Sequence, residues 1–531
     1  MIRERVAEKA EERRWWILVV LCFSLLIIVL DNSILNVAIP TIVRELDATN
    51  SELQWIVDAY TIVFAGLLLT AGSLGDRFGR RPALQVGLVV FGLGSVSAAL
   101  AGSANELIAT RAFMGIGAAF IMPATLSIIT NVFPAQERGK AIGVWAATAG
   151  VAVALGPLTG GFLLEHFYWG SIFLVNIPIV IVGLLAGIFL IPDSKDPHPQ
   201  RIDPVGAVLS IVGLTTLLYA IIEGPVEGWT DPTTLGFFAV GGIVLALFFV
   251  WELRCDHPML DLSFFKNPRF SVASGAIALT FFAMFGSIFV LTQYLQFVLG
   301  YSPLETGVRL LAFAIPMMIF APLSARFVER VGAKVVVGAG LTLMATGLLL
   351  STGLDASSSY GAIAWRMVVM ATGMALTMAP ATDSIMGSLP LAKAGVGSAV
   401  NDTTRQIGGA VGVAVVGSVF SSVYGAQIAD SIAGQPVPPD VANGIKDSIG
   451  FALQAAARIG GSAGAELADA ARAAFVDGFH AGLIVGGVVA AIGAVCVVLW
   501  LPARARRQDV ERQDVEFGDA RAAELLPTPG T

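Results

Sequence analysis

Fourteen apolar runs, most about twenty residues long, punctuate this 531-residue chain and leave it few options. A run of that length spans the ~30 Å apolar core of a bilayer as a helix, and a helix satisfies its own backbone hydrogen bonds there. The runs lie at approximately 15–39, 53–74, 82–101, 106–128, 141–164, 169–191, 204–222, 234–251, 270–297, 304–327, 335–354, 361–385, 397–424 and 474–501. Charged residues make up 13% of the chain, against about 25% in a soluble protein. The sequence therefore specifies an all-α polytopic membrane protein.

Placement of Lys and Arg orients such a chain, whereas its net charge of −7 does not. In an arrangement with both termini cytoplasmic, 24 of the 32 Lys and Arg fall on the cytoplasmic side. Met1 to Arg14 is a mixed-charge segment. The run from Trp15 is too long for a signal-peptide core and lacks a small-residue cleavage site, so it is read as the first spanner. Cys22, Cys255 and Cys496 are far apart and the four histidines are scattered, with no disulfide framework or metal-ligand spacing. No catalytic triad, P-loop or nucleic-acid module is present, which argues against an enzyme or a nucleic-acid partner, and no cofactor is expected.

A charged, Gly-rich turn joins the second and third runs: Gly72-Ser73-Leu74-Gly75-Asp76-Arg77-Phe78-Gly79-Arg80-Arg81. A weaker copy, Ala325 to Lys334, places Glu329 on Asp76, Arg330 on Arg77, Gly332 on Gly79 and Lys334 on Arg81. A repeated turn implies an internally repeated membrane protein. The expected organisation is a cytoplasmic segment (1–14), a six-helix half (15–191), two additional helices (204–251) and a second six-helix half (270–501). An extracellular helical hairpin (427–473, split near Gly460-Gly461) and a cytoplasmic tail (502–531) complete it. The tail doubles Arg-Gln-Asp-Val-Glu at 507–511 and 512–516. Asp76, placed beside a helix N-terminus of the other half, suits a latch between halves; a purely orienting loop is the alternative.

Ionisable groups inside spanners are costly and mark function. Asp31, Asp58 and Arg111 all fall in the outer part of the first half. A carboxylate alternating between a dry site beside a cation and a wetter one can bind and release a proton. The bland alternative is a fixed ion pair plus one solvated acid. The fifth run carries Gly150, Gly156, Pro157, Gly160 and Gly161, which suit a bent, closely packed helix. Phe281, Phe282, Met284, Phe285 and Tyr294, with Phe313, Met317, Met370 and Met374, are candidates for a soft aromatic binding surface, or else ordinary bundle packing. Asp383, Asp402 and Arg405 are read as local polar pairs near cytoplasmic helix ends.

These motifs together resemble the major facilitator superfamily, in its fourteen-spanner drug:proton antiporter branch. The turn matches the superfamily's signature at Gly72, Leu74, Asp76, Arg77, Gly79, Arg80 and Arg81. Leu30-Asp31 with Asn36-Val37-Ala38-Ile39-Pro40 resembles the branch's first-helix motif. Arg111, Gly115, Gly117, Ala118 and Ala119 resemble the fourth-helix motif, and Gly156-Pro157 with Gly160-Gly161 the antiporter motif of the fifth. Trp55-Ile56-Val57-Asp58 is similar to pumps for lipophilic cations. Met114 replaces a usual glutamine, Trp169-Gly170-Ser171 replaces Trp-Arg-Trp, and the tenth run has no mid-membrane acid, which argues against a strong preference for dications. The resemblance implies a monomeric antiporter of the bacterial cytoplasmic membrane, driven by the proton gradient. It would export amphipathic, cationic small molecules, with Asp31 and Arg111 in proton coupling and Asp58 attracting the cation. Export of one endogenous metabolite, antibiotic or lipid, or a non-transporting sensor, are the alternatives.

Overall fold

The structure is a computed structural model and describes residues 2–46, 50–196, 202–432 and 438–503; the repeated segment of the tail lies outside them. Among the described residues, fourteen helices are long and apolar enough to cross a bilayer. The first six are α1 (Arg13–Leu35), α2 (Glu52–Phe78), α3 (Arg80–Ala99), α4 (Ala104–Val132), α5 (Ala135–His166) and α6 (Ser171–Leu190). Next come α7 (Pro204–Pro225) and α8 (Pro232–Arg254). The last six are α9 (Pro268–Val298), α10 (Leu304–Val331), α11 (Ala333–Ser351), α12 (Tyr360–Met386), α13 (Leu391–Ile432) and α14 (Gly461–Trp500).

Helices α1–α6 pack mainly on one another, as do α9–α14. Small residues set the spacing. A Cβ on Gly87 of α3 would come within 2.8 Å of the Gly117 carbonyl of α4. Such close approach replaces the hydrophobic drive that is missing between helices in lipid. The two bundles meet along α5 with α10 and along α2 with α13. Their relation is visible in the repeated turns. Gly79 (φ +117) and Gly332 (φ +86) both adopt a conformation that disfavours a side chain. In the first copy the next amide, Arg80 N–H, donates to Ser194 O just after α6; in the second, Ala333 N–H donates to Ala503 O just after α14, each at 2.9 Å. Each bundle thus docks the segment after its sixth helix on its own turn.

Helix α7 lies against both α2 and α13, so the additional pair covers one seam between the bundles. Asp203 caps α7, accepting from Gly206 N–H at 2.8 Å, and also accepts from Trp251 Nε1 at 3.0 Å, which ties the pair together. Leu235, Ile243 and Leu247 of α8 are exposed, as a lipid-facing belt requires.

At the end opposite the turns, α13 runs on to Ile432, and two short helices, Pro439–Asp447 and Ile449–Ile459, follow. Ile445 and Ile449 are buried, and Tyr424 Oη donates to Ile445 O at 3.0 Å. Gly460 (φ +67) ends the second short helix, and α14 begins at Gly461. That start corrects the sequence boundary at 474, because the Ala-rich stretch from 465 to 474 is a strong helix former with no Gly or Pro in it. Glu223 likewise lies within α7, just beyond the run read at 204–222.

Candidate functional site

Arg111 and Asp31 form a buried ion pair between α4 and α1, exposed by 0% and 2% respectively. The rest of the guanidinium is committed. Nη2 donates to Asn32 Oδ1 at 2.9 Å, Nε donates to Ile56 O at 3.2 Å, and the plane lies 4.3 Å from the Tyr60 ring centroid. Asn176 of α6 donates to the second Asp31 oxygen at 2.9 Å. One carboxylate thus joins α1, α4 and α6, and any change in its charge is felt by three helices. Asn32, Tyr60 and Asn176 are members that the sequence reading did not assign. The only local hints were the polar neighbour of Asp31 and the Asn-Ile-Pro at 176–178.

Asp58 does not join this cluster. Tyr60 and Asp58 are two residues apart, about 200° around a helix, so when Tyr60 faces Arg111, Asp58 faces the opposite way. It looks toward α7, where Glu223 is its charged neighbour and Trp55 and Tyr219 meet at 5.7 Å. The sequence places all three charges at one depth; the face of the helix separates them.

The charged turn ties the two bundles together. Asp76 accepts from Gly395 N–H at 2.8 Å and Val396 N–H at 3.0 Å, at the N-terminus of the long helix in α13. Helix N-termini offer free N–H donors and a positive dipole end to such a carboxylate. Arg80 Nη2 pairs with Asp76 at 2.7 Å and donates to Leu391 O at 2.7 Å. A Cβ on Gly72 would lie 2.6 Å from Gly395 O, so only glycine permits this approach. Gly79 supplies the turn, Arg81 lies 4.0 Å from Asp193, and Arg77 stacks on Phe78. Glu329, the counterpart of Asp76, is exposed, so the second copy makes no such cap.

Asp383 corrects its reading as a local pair: Arg138 of α5 donates to it at 2.9 Å from the other bundle. Asp402 and Arg405 are neighbours on α13, 3.7 Å apart, but they are buried and sit at the seam.

Helix α5 uses its small residues on two faces. Gly156 and Gly160 pack on Ser33 and Ile34 of α1, while Gly150, Pro157 and Gly161 meet Met317, Gly307 and Leu304 of α10. Helix α5 therefore touches its own bundle on one side and the other bundle on the other. Gly156→Val forces a branched side chain into Ser33 and is expected to lower the thermal unfolding midpoint of the solubilised protein by about 5 °C or more. Gly161→Ala, whose Cβ finds Leu304 at a comfortable 3.5 Å, leaves it unchanged. Equal midpoints for both variants contradict this account of α5.

The proposed aromatic surface divides. Phe281 is buried beside Arg405, and Phe313 and Met317 are buried on α10, with Met317 against Gly150. Tyr294 stacks on Phe479 at 4.7 Å and donates to Asp355 O at 2.5 Å, so its ring is consumed inside the second bundle. Met370 packs on Gly347 and lines a small cavity with Phe479, away from the seam. Phe285 is 43% exposed with its ring edge on Gly409, and Met374 is buried on α12. Tyr294 and Met370 thus leave the surface that the sequence grouped, while Phe285 stays beside Phe281, with ring centroids 5.7 Å apart.

A family model described as Major Facilitator Superfamily matches residues 21–413. The chain is 36% identical to the multidrug efflux pump LfrA of Mycolicibacterium smegmatis, covering 91% of this chain and 96% of that one. It is 31% identical to the tetracenomycin C resistance and export protein of Streptomyces glaucescens, covering 98% and 95%. It is 34% identical to the methyl viologen resistance protein SmvA of Salmonella typhimurium, covering 87% and 93%. Among solved structures, the human organic anion transporter MFSD10 superposes with a TM-score of 0.59 at 14% identity, covering 92% of this chain and 99% of that one, a likeness of fold alone.

Proposed function

The chain belongs to the Major Facilitator Superfamily, and from that premise we propose that it is a proton-driven exporter of amphipathic, cationic drugs. As a superfamily member it is a multi-pass transporter of small molecules and not an enzyme. The observation that carries the proposal is the buried Asp31–Arg111 pair, whose carboxylate ties together α1, α4 and α6. Proton uptake from outside discharges Asp31 and frees Arg111, and the three helices adjust to the new charge. The proton gradient is the only energy source in this scheme, and no cofactor takes part. One charge crossing 100 mV is worth about 2.3 kcal/mol, so one or two protons sustain a substrate gradient of one to several decades. In this scheme both termini face the cytoplasm of a bacterial inner membrane, and the latch closes the cytoplasmic end of a single copy of the chain.

The relatives' names support drug export as the task, and SmvA is named for resistance to methyl viologen, an organic dication, whereas the tenth run of this chain has no mid-membrane acid for a second charge. A second reading, export of one antibiotic that the cell itself makes, is favoured by the likeness to the tetracenomycin C exporter.

Everted membrane vesicles energised to an acid interior test the proposal. Adding an organic cation such as ethidium is expected to release part of the stored pH gradient when the chain is present and not when it is absent. A response confined to one neutral antibiotic favours the second reading. No response to any compound overturns both. Asp58→Asn is expected to weaken the half-maximal response to ethidium by about tenfold, as loss of one charge partner near a cation does, with the maximal response to a neutral substrate kept. An unchanged ethidium response removes Asp58 from the cation's route.

A further inference from the structure

Arg405 is a cation held at the seam of the two bundles. It lies eleven residues beyond the start of the helix at Ala394, ~16 Å along it and near mid-membrane. Its guanidinium sits between two rings from opposite bundles. Cζ is 4.9 Å from the centroid of Trp145 on α5 and 5.4 Å from that of Phe281 on α9. Nη2 donates to Thr382 Oγ1 at 3.0 Å, and Nη1 lies 3.7 Å from Asp402 Oδ1. Trp145 is itself fixed, its Nε1 donating to Thr125 Oγ1 at 3.2 Å.

The pair on α13 is incomplete. Arg405 is 4% exposed and its Nε has no acceptor; Asp402 is fully buried and its Oδ2 has no hydrogen bond. A buried donor and a buried acceptor left open on two residues already in contact are costly where they are. They complete each other if the guanidinium turns from the rings onto Asp402, giving the two-bond pairing that arginine and carboxylate favour.

We propose that Trp145 and Phe281 are the walls of the binding site for a lipophilic organic cation, and that Arg405 fills this site in the empty, closed transporter. The inference rests on the reading of the chain as a cation exporter and names where the cation sits. An entering cation takes the ring faces, of which Trp is the strongest acceptor among the aromatic side chains. Arg405 withdraws to Asp402, and its Nε–H meets the free Oδ2. Because one wall belongs to each bundle, exchange of guanidinium for ligand occurs where the bundles separate. The device keeps the aromatic cleft from closing on itself when empty, since a resident cation always occupies it.

Tetraphenylphosphonium binding to the purified, full-length protein, measured by equilibrium dialysis, tests this. Trp145→Ala is expected to weaken binding about ten- to thirty-fold, and Trp145→Phe, which keeps a packed ring, by less. Arg405→Gln removes the resident competitor and is expected to tighten binding several-fold in the native background. That gain disappears when Trp145→Ala is added, which a purely structural arginine does not explain. Trp365→Phe, on the exposed flank of α12, serves as control and binds as wild type. If wild type binds the cation and both Trp145 variants bind it equally well, this site is wrong while the cation reading stands. If wild type binds no organic cation yet transports neutral compounds, the cation reading falls and the site with it.

Discussion

Asp31→Asn eliminates proton-driven efflux while leaving the protein folded in the membrane. The substitution keeps the shape of the side chain and removes its charge. Arg111 retains Asn32 Oδ1, Ile56 O and the face of Tyr60, so the guanidinium is not orphaned. Breaking a buried pair by removing one partner typically costs about 3–5 kcal/mol, and these retained contacts offset part of that. What the variant cannot do is change charge. Efflux driven by an imposed pH gradient is expected to fall at least about 100-fold, the scale of a ~2.7 kcal/mol loss in coupling. Downhill exchange of labelled for unlabelled substrate, which needs no proton, persists. Arg111→Lys is expected to fail for a different reason. A lysine ammonium cannot pair with Asp31 while also reaching Asn32 and the Ile56 carbonyl in one plane. Full efflux by Asp31→Asn moves the coupling site elsewhere.

Asp76→Asn releases the latch. The carboxylate receives two backbone N–H groups of α13 and the Arg80 fork, and hydrogen bonds involving a charged group contribute about 1.5–3 kcal/mol each. Loss of the charge is expected to shift the balance between the closed and open latch by about 10- to 100-fold toward open. The shift is read as distance between spin labels on cysteines replacing Phe78 and Val331, exposed residues beside the two repeated turns, in a background with Cys22, Cys255 and Cys496 replaced by alanine. Asp76→Asn shows a longer distance in most molecules. Gly72→Leu, which drives a side chain into Gly395 and Ala399, gives the same outcome by a steric route. Unchanged distances in both variants mean that the turn orients the chain without holding the bundles. Arg138–Asp383 is a second tie across the seam, so the latch is not expected to open fully in every molecule.

How far these features were readable in the sequence depends on whether they are local. Run length alone revealed the fourteen spans, because a bilayer sets the length of a helix. The repeated turn was legible because glycine and arginine spacing is local, and both copies proved to dock the segment after a sixth helix. The depth of Asp31 and Arg111 followed from counting along α1 and α4. The face of Asp58 did not, since depth carries no rotation; Tyr60, two residues on, held the missing information. Arg138 and Asp383 are 245 residues apart, and no pattern in either neighbourhood announces the other. Arg405 looked like a local partner of Asp402 because their spacing is helical, while Trp145 is invisible at that range. Tyr294 and Met370 show the converse limit. Aromatic and thioether groups suit a ligand and a helix interface equally, and only packing against Phe479 and Gly347 assigns them.

The central claim is that export and proton entry are one event. Purified protein in liposomes, with an imposed proton gradient and with ethidium movement and internal pH followed in the same sample, tests it most directly. Wild type is expected to move dye against its gradient with a matching proton flux in the opposite direction, and Asp31→Asn to show neither. Dye movement that continues at the full rate without proton flux, or proton flux indifferent to dye, contradicts the coupling assigned to Asp31 and Arg111.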